Sequence, residues 1–448
     1  MEKITKEQVL ANTIERCKKQ NIIIPTYEQM AHPEKIPKEI IDELSNVGLW
    51  DINSRNLFRL TWKNEPKEFG GKFGPVNRIE LPSIFTGVKS RIFILIGKFF
   101  PTGSHKVGAT FGPLVEKLTR GEFDPTTQKV YPTIKTESNV KEEFDKTKEL
   151  KETYGDQIVV LNQFAEFGNP LWHYYVTGGA IEEVYNEEKK EGQRLSGLFL
   201  TQGSGGTLGS SMYLHQKYPL MKTGAGEAVE CPTLLQNGFG EHQIEGIGDK
   251  HVPWILNIKD LDAVVGIQDD QCMRLFRLFN EPAGHKILLK NGIPKDFVDN
   301  LHLFGISSIA NIIGAIQMAK YYEMNQNDIL FTVATDSAQM YTSRLKEMTE
   351  KFGEYTETQA MIDFEAVLKS ISPLHFRELT YYEKKRMHNL KYFTWIEQQG
   401  KTSEELNKQW YDDNYWLDRM NQYKQWDEQI NQFNERTGLL KDLLEKKK

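Results

Sequence analysis

Cysteine is scarce in this sequence: Cys17, Cys231 and Cys272 are all it has in 448 residues, and no two form a CxxC pair. That excludes a disulfide framework and a cysteine-rich zinc module, and it suits a reducing compartment, the cytoplasm. The ten histidines show no HExxH or paired spacing, so a metal site has no support. Charge of one sign is missing too. Lys and Arg total 56 against 62 Asp and Glu, a net charge of −6. This balance argues against bulk nucleic-acid or anionic-membrane binding. No run approaches the ~20 apolar residues of a membrane span. The opening MEKITKEQVLANTIERCKKQ lacks the apolar stretch of a secretory signal. There is no internal repeat. What remains is a globular chain, long enough for about three domains at ~150 residues each.

Strand-like and helix-like segments alternate through the middle of the chain. RIFILIG (91–97), GDQIVVLNQF (155–164), SGLFLTQ (196–202), DAVVGIQ (262–268) and DILFTVA (328–334) read as strands. GSSMYLHQKYP reads as a helix after the third of these. Asp269 and Asp270 are expected to cap a helix over QCMRLFRLFNEP, and SSIANIIGAIQMAKYY (307–322) is a long helix. Such alternation predicts an α/β architecture with largely parallel sheets. Residues 1–66 are charged and helical, and 67–80 (KEFGGKFGPVNRIE) form a glycine-rich loop. From about 374 the composition changes. Trp395, Trp410, Trp416 and Trp426 lie among dense charge, which predicts two or three amphipathic helices packed on the core or on another subunit.

Two segments carry chemistry. In TQGSGGTLGSS, Gly203, Ser204, Gly205, Gly206 and Thr207 follow a strand and open a helix. Residues without side chains let backbone N–H groups approach an anion, and the helix N-terminus adds roughly half a positive charge. A phosphate is the expected ligand; a plain strand-to-helix turn is the alternative. Leu208 breaks the GxGxxG dinucleotide pattern, and no Lys-Ser/Thr follows to make a Walker loop. In FFPTGSHKVGATF (99–111), Lys106 follows a strand and a Pro101–Gly103 turn, among small and apolar neighbours. Partial burial there would depress its pKa, as an amine needs in order to form a Schiff base. A phosphate cradle plus an imine-forming lysine suggests pyridoxal phosphate.

PTGSHKVGA, GSGGT, HQIEGIG and ATDSAQMYTS occur in the order found in the fold-type II pyridoxal-phosphate enzymes. NQFAEFGNPLWHYYVTGGAIEEV resembles their asparagine-proline, histidine-tyrosine and threonine-glycine segment. Over roughly residues 80–350 the chain resembles the cysteine synthase/cystathionine β-synthase branch of this tryptophan synthase β-like superfamily. The resemblance implies two open twisted sheets flanked by helices. It also implies an N-terminal helical extension (1–80), a catalytic core (81–373) with a small domain near 100–165, and a helical C-terminal extension (374–448). Lys106 would carry the cofactor as an imine and act as general acid/base at the substrate α-carbon. Gly203 to Thr207 would hold the cofactor phosphate. Ser337 would face the pyridine nitrogen with a neutral hydroxyl, which suits β-elimination over deeper carbanion chemistry. Gly246 and Gly248 would shape the pocket loop. The partner implied is a small amino-acid substrate, and the assembly a homo-oligomer, a dimer.

Bland alternatives stand beside these roles: Ser337 as a strand-end cap, the two glycines as a turn, and His105, His173 and His242 as packing or hydrogen-bonded scaffold. One family feature has no counterpart. Relatives carry a Thr/Ser-Ser-Gly-Asn loop after the lysine, which binds the substrate carboxylate and whose Asn meets the cofactor's 3′-oxygen. Here TESN (136–139), near Thr133, has no glycine between Ser138 and Asn139, and only 97 positions separate Lys106 from Gly203. The small domain is therefore expected to be abbreviated. Three activities follow as expectations: β-elimination or β-replacement on a serine- or cysteine-like amino acid, a serine/threonine dehydratase, or a catalytically impaired homologue.

Overall fold

The computed structural model describes residues 5–66, 69–130 and 140–445. Among the described residues, nine strands form two sheets. β1 (Arg78–Leu81), β2 (Arg91–Ile96), β5 (Arg194–Thr201), β6 (Lys222–Ala228), β7 (Ala263–Ile267), β8 (Asp328–Ala334) and β9 (Phe376–Glu378) make a seven-stranded sheet in the order β1-β2-β8-β5-β6-β7-β9. Its five inner strands are parallel and its two edge strands antiparallel. RIFILI, AVVGI and DILFTVA are almost wholly buried, as strands with both faces covered require. The second sheet is small: β3 (Lys129–Val130) beside β4 (Ile158–Val159), parallel. The expected strand over 155–164 is thus reduced to two residues. Thr133, Thr136, Ser138 and Asn139 lie outside the described residues.

β6 was not among the expected strands; KTGAGEA has two glycines and no apolar run. The Phe199 ring of neighbouring β5 explains it. A Cβ at Gly224 would stand 2.8 Å from that ring, so the strand gives up a side chain to make room. The helix Ile306–Tyr321 crosses the same ring from the opposite side at Gly314. Asp269 and Asp270 fall in the first turn of the helix Asp269–Asn280, not at its cap; Gln268 is the N-cap, in extended conformation. The two carboxylates still lie where the helix dipole favours them.

The C-terminal region also departs from expectation. It contributes the edge strand β9 and five helices: Tyr381–Lys391, Ser403–Tyr411, Tyr415–Met420, Tyr423–Thr437 and Leu439–Glu445. Its four tryptophans are all buried within the chain. The helix Tyr423–Thr437 also ties down the N-terminal region. Asp427 accepts from the N–H groups of Tyr27 (2.6 Å) and Glu28 (3.0 Å), and Asn434 bridges both polar groups of Ile24.

Gly314→Ala drives a Cβ into the Phe199 ring, which is itself confined by β6. A loss of about 1–3 kcal/mol is expected in urea denaturation followed by circular dichroism. An unchanged midpoint would show that Phe199 has room to turn.

Candidate active site

Lys106 is the first residue of the helix Lys106–Thr119. β2 leads into the turn Pro101–Gly103, and the His105 N–H then donates to Thr335 O, just past β8, at 3.2 Å. The turn aims Lys106 into a cavity of about 200 Å³. Its Nζ donates to Gly246 O at 3.3 Å. Lys106 is an exposed residue, yet the protein crowded around its amine lowers its pKa, against the opposing pull of Asp336.

Facing the lysine is the loop Gly203–Thr207, between β5 and the helix Gly209–His215. Ser204 Oγ accepts from Asn169 Nδ2 (3.0 Å), which also donates to Gln163 O (2.8 Å). Gly246 and Gly248 form a third wall with φ of +85° and +84°, where a side chain is strained. A Cβ at Gly246 would come within 2.8 Å of Lys106 Nζ, and one at Gly248 would overlap His242. The Gly248 N–H donates to Gln202 O (3.0 Å), joining this wall to the cradle. Thr335 lines the cavity; Ser337 is buried two residues further on, opening a short 3₁₀ turn.

His105 and His173 meet edge to face at 5.2 Å. His105 Nε2 pairs with Thr335 Oγ1 (3.2 Å), and His173 Nδ1 with Thr177 Oγ1 (3.0 Å). Burial, with help from the Lys106 charge, pushes His105 down to about 3. Burial and His105 hold His173 well below its ordinary value. Both rings are neutral near pH 7 and serve as packing, which leaves Lys106 as the titrating base on the cavity wall. Asp336, one residue beyond Thr335, accepts from Tyr341 Oη (2.9 Å), and burial raises its carboxyl to about 6.

These residues fit pyridoxal phosphate on structural grounds. A Cβ at Gly246 would fill the space beside the amine, and the opposite wall offers main chain with the hydroxyls of Ser204 and Thr207. Lys106 would hold the aldehyde carbon and Gly203 to Thr207 the phosphate.

No protein-family profile matches the chain. The cysteine synthase of Staphylococcus aureus is 30% identical over 199 residues, covering 44% of this chain and 56% of that protein. The cysteine synthase of Helicobacter pylori is 28% identical over 202 residues, with the same coverages. The chain thus spans little more than half the length of these curated relatives. Crystal structures of O-acetylserine sulfhydrylase isoform 3 and of cysteine synthase, both from Entamoeba histolytica, superpose with a TM-score of 0.50 at 19% identity. They cover 64% and 65% of this chain, and in each case 92% of the other. The fold is that of fold type II, and the sequence is similar to these cysteine synthases over about 200 residues.

Sequence reasoning gave no role to Gln163, Asn169 or Thr335, all of which line the cavity. Their segments were recognised as family-like; only the fold shows that Asn169 spans from Gln163 to the cradle. Behind the cradle, Asp260 accepts from Ser211 Oγ and pairs with His215 Nδ1 at 2.7 Å. Burial alone would lower the His215 pKa, but the hydrogen bond and charge of Asp260 carry it to about 9. A folded-state pKa above the unfolded ~6.5 means stabilisation that is complete below pH ~6.5 and fades as pH rises through 9. The melting-temperature gap between wild type and His215→Gln is therefore expected to be wide at pH 6 and to narrow by pH 10. A gap that ignores pH would refute the pairing.

Proposed function

We propose that this chain is a pyridoxal-phosphate enzyme that performs β-elimination or β-replacement on a serine- or cysteine-like amino acid. The observation that carries the reading is one cavity shared by the Lys106 amine and the Gly203–Thr207 loop. The bound cofactor would supply an electron sink for the bond broken at the substrate α-carbon.

The chain's own residues do the rest. Lys106 would hold the cofactor through Nζ, and the same Nζ, once free, would take the substrate α-proton. Burial keeps a larger share of that amine neutral at working pH, which favours both tasks. Gly203 to Thr207 hold the anionic end, with Ser204 fixed by Asn169. Gly246 leaves room beside the lysine and offers its carbonyl to the amine when the substrate is absent. We place the Ser337 hydroxyl against the pyridine nitrogen in the loaded protein, with Gly248 shaping the pocket loop. Protomers would pair as a homodimer.

A second reading has its own support. The small sheet comprises two strands of two residues among the described residues, and the chain has no Ser-Gly-Asn loop for the substrate carboxylate. Losing that anchor removes orientation worth several kcal/mol at the transition state. The chain would then bind cofactor without turnover.

Purified protein given pyridoxal phosphate should show the visible band of an imine, and the band should shift with serine, cysteine or an O-activated serine. Release of a thioether or thiol product marks β-replacement; keto acid without a thiol requirement marks the dehydratase. Lys106→Ala should abolish the band and lower any turnover by roughly 10²–10⁴-fold. A band that no amino acid shifts would favour the silent homologue, and no band at all would end the proposal.

A further inference from the structure

Lys391 closes the helix Tyr381–Lys391 and is completely buried. Its Nζ donates to Trp254 O (3.0 Å), Leu256 O (2.7 Å) and Gln409 Oε1 (2.8 Å). All three acceptors are amide oxygens, and the ammonium also stands 5.2 Å from the Trp416 ring. A buried cation without a carboxylate is costly, so its three bonds must be well made. Burial indeed holds its pKa well below the ordinary lysine value.

What Lys391 grips is the segment 252–256, which follows the Gly246–Gly248 wall. Other groups of the C-terminal region grip the same stretch. Trp395 Nε1 donates to Val252 O (2.8 Å), and Gln409 Nε2 donates to Trp254 O (3.2 Å). Trp254 packs with Trp395, Leu406 and Phe164 in one apolar cluster. From this segment two contacts reach the cavity. The Ile255 N–H donates to the carbonyl of Phe164, a cavity-lining residue, at 3.3 Å. The Leu256 side chain lies against Gly205, where an added Cβ would stand 3.2 Å from it. The chain of contact therefore runs from Lys391 through Leu256 to the middle of the phosphate loop.

We infer that Lys391 is a positioning residue for the Gly203–Thr207 cradle, through which the C-terminal extension fixes the cradle's shape before any ligand arrives. The inference rests on the proposed cofactor role of that loop, but the mechanical part stands apart from it. A cradle held by packing from behind loses little freedom when it binds an anion, so it binds more tightly than one that must be ordered.

The test uses the full-length chain and two variants. Lys391→Met removes the three bonds at similar volume; Trp395→Phe removes one bond at the same segment and is the milder change. Amide hydrogen exchange is read at 203–208 and at 381–420 without cofactor, and pyridoxal-phosphate affinity is read by titration. Lys391→Met is expected to speed exchange at 203–208 by roughly tenfold and to weaken binding by a similar factor, with Trp395→Phe moving both in the same direction by less. If Lys391→Met fails to fold, Trp395→Phe decides. Faster exchange confined to 381–420, with 203–208 unchanged, overturns the inference. Wild-type protein that takes up no pyridoxal phosphate would defeat the proposed function, while the exchange comparison would still decide the role of Lys391.

Discussion

Main chain meets main chain at two crossings beside the cavity. A Cβ at Gly112, in the lysine's helix, would overlap the carbonyl of Gly168; one at Gly209, opening the helix after the cradle, would overlap that of Pro170. Residues 168–170 are thus wedged between the helix that begins at Lys106 and the helix that follows the Gly203–Thr207 loop. Backbone crossings of this kind leave no slack, because nothing at the contact has a rotamer to change. The spacing of these two helices is set here. Asn169, in the middle of the wedge, adds a side chain that reaches Ser204.

The wedge is itself supported from within its own segment. The helix it begins opens into a π turn at His173–Thr177, where Thr177 Oγ1 accepts from the Trp62 indole (3.0 Å) and pairs with His173. Such turns interrupt the regular ladder and are retained where a side chain must be placed out of helical register. Here the register brings His173 against His105, the neighbour of Lys106. On the far side, the C-terminal extension holds the segment that backs the cradle. The cavity is therefore braced from two directions by elements remote in sequence.

Much of this was legible in the residues. The apolar runs of β2, β7 and β8 declared a buried parallel sheet, and the glycine loop and Lys106 declared two walls of one site. β6 was hidden because its glycines answer to Phe199 on another strand, which no local pattern encodes. The short β4 was over-read, since GDQIVV has strand composition but pairs with one strand, β3, among the described residues. Asn169 and Lys391 were invisible as functional residues for a common reason. Two of the three acceptors of Lys391 lie more than a hundred positions away, and Asn169 takes its place from the fold's crossing points.

The central claim is that one lysine and one glycine loop, spaced by the wedge, hold the two ends of the same molecule. A crystal structure of protein loaded with pyridoxal phosphate and reduced with borohydride tests it most directly. Continuous density is expected from Lys106 Nζ to a phosphate seated on residues 203–207, with 168–170 unmoved between helix and loop. Attachment at any other lysine, or a phosphate resting away from that loop, would contradict it.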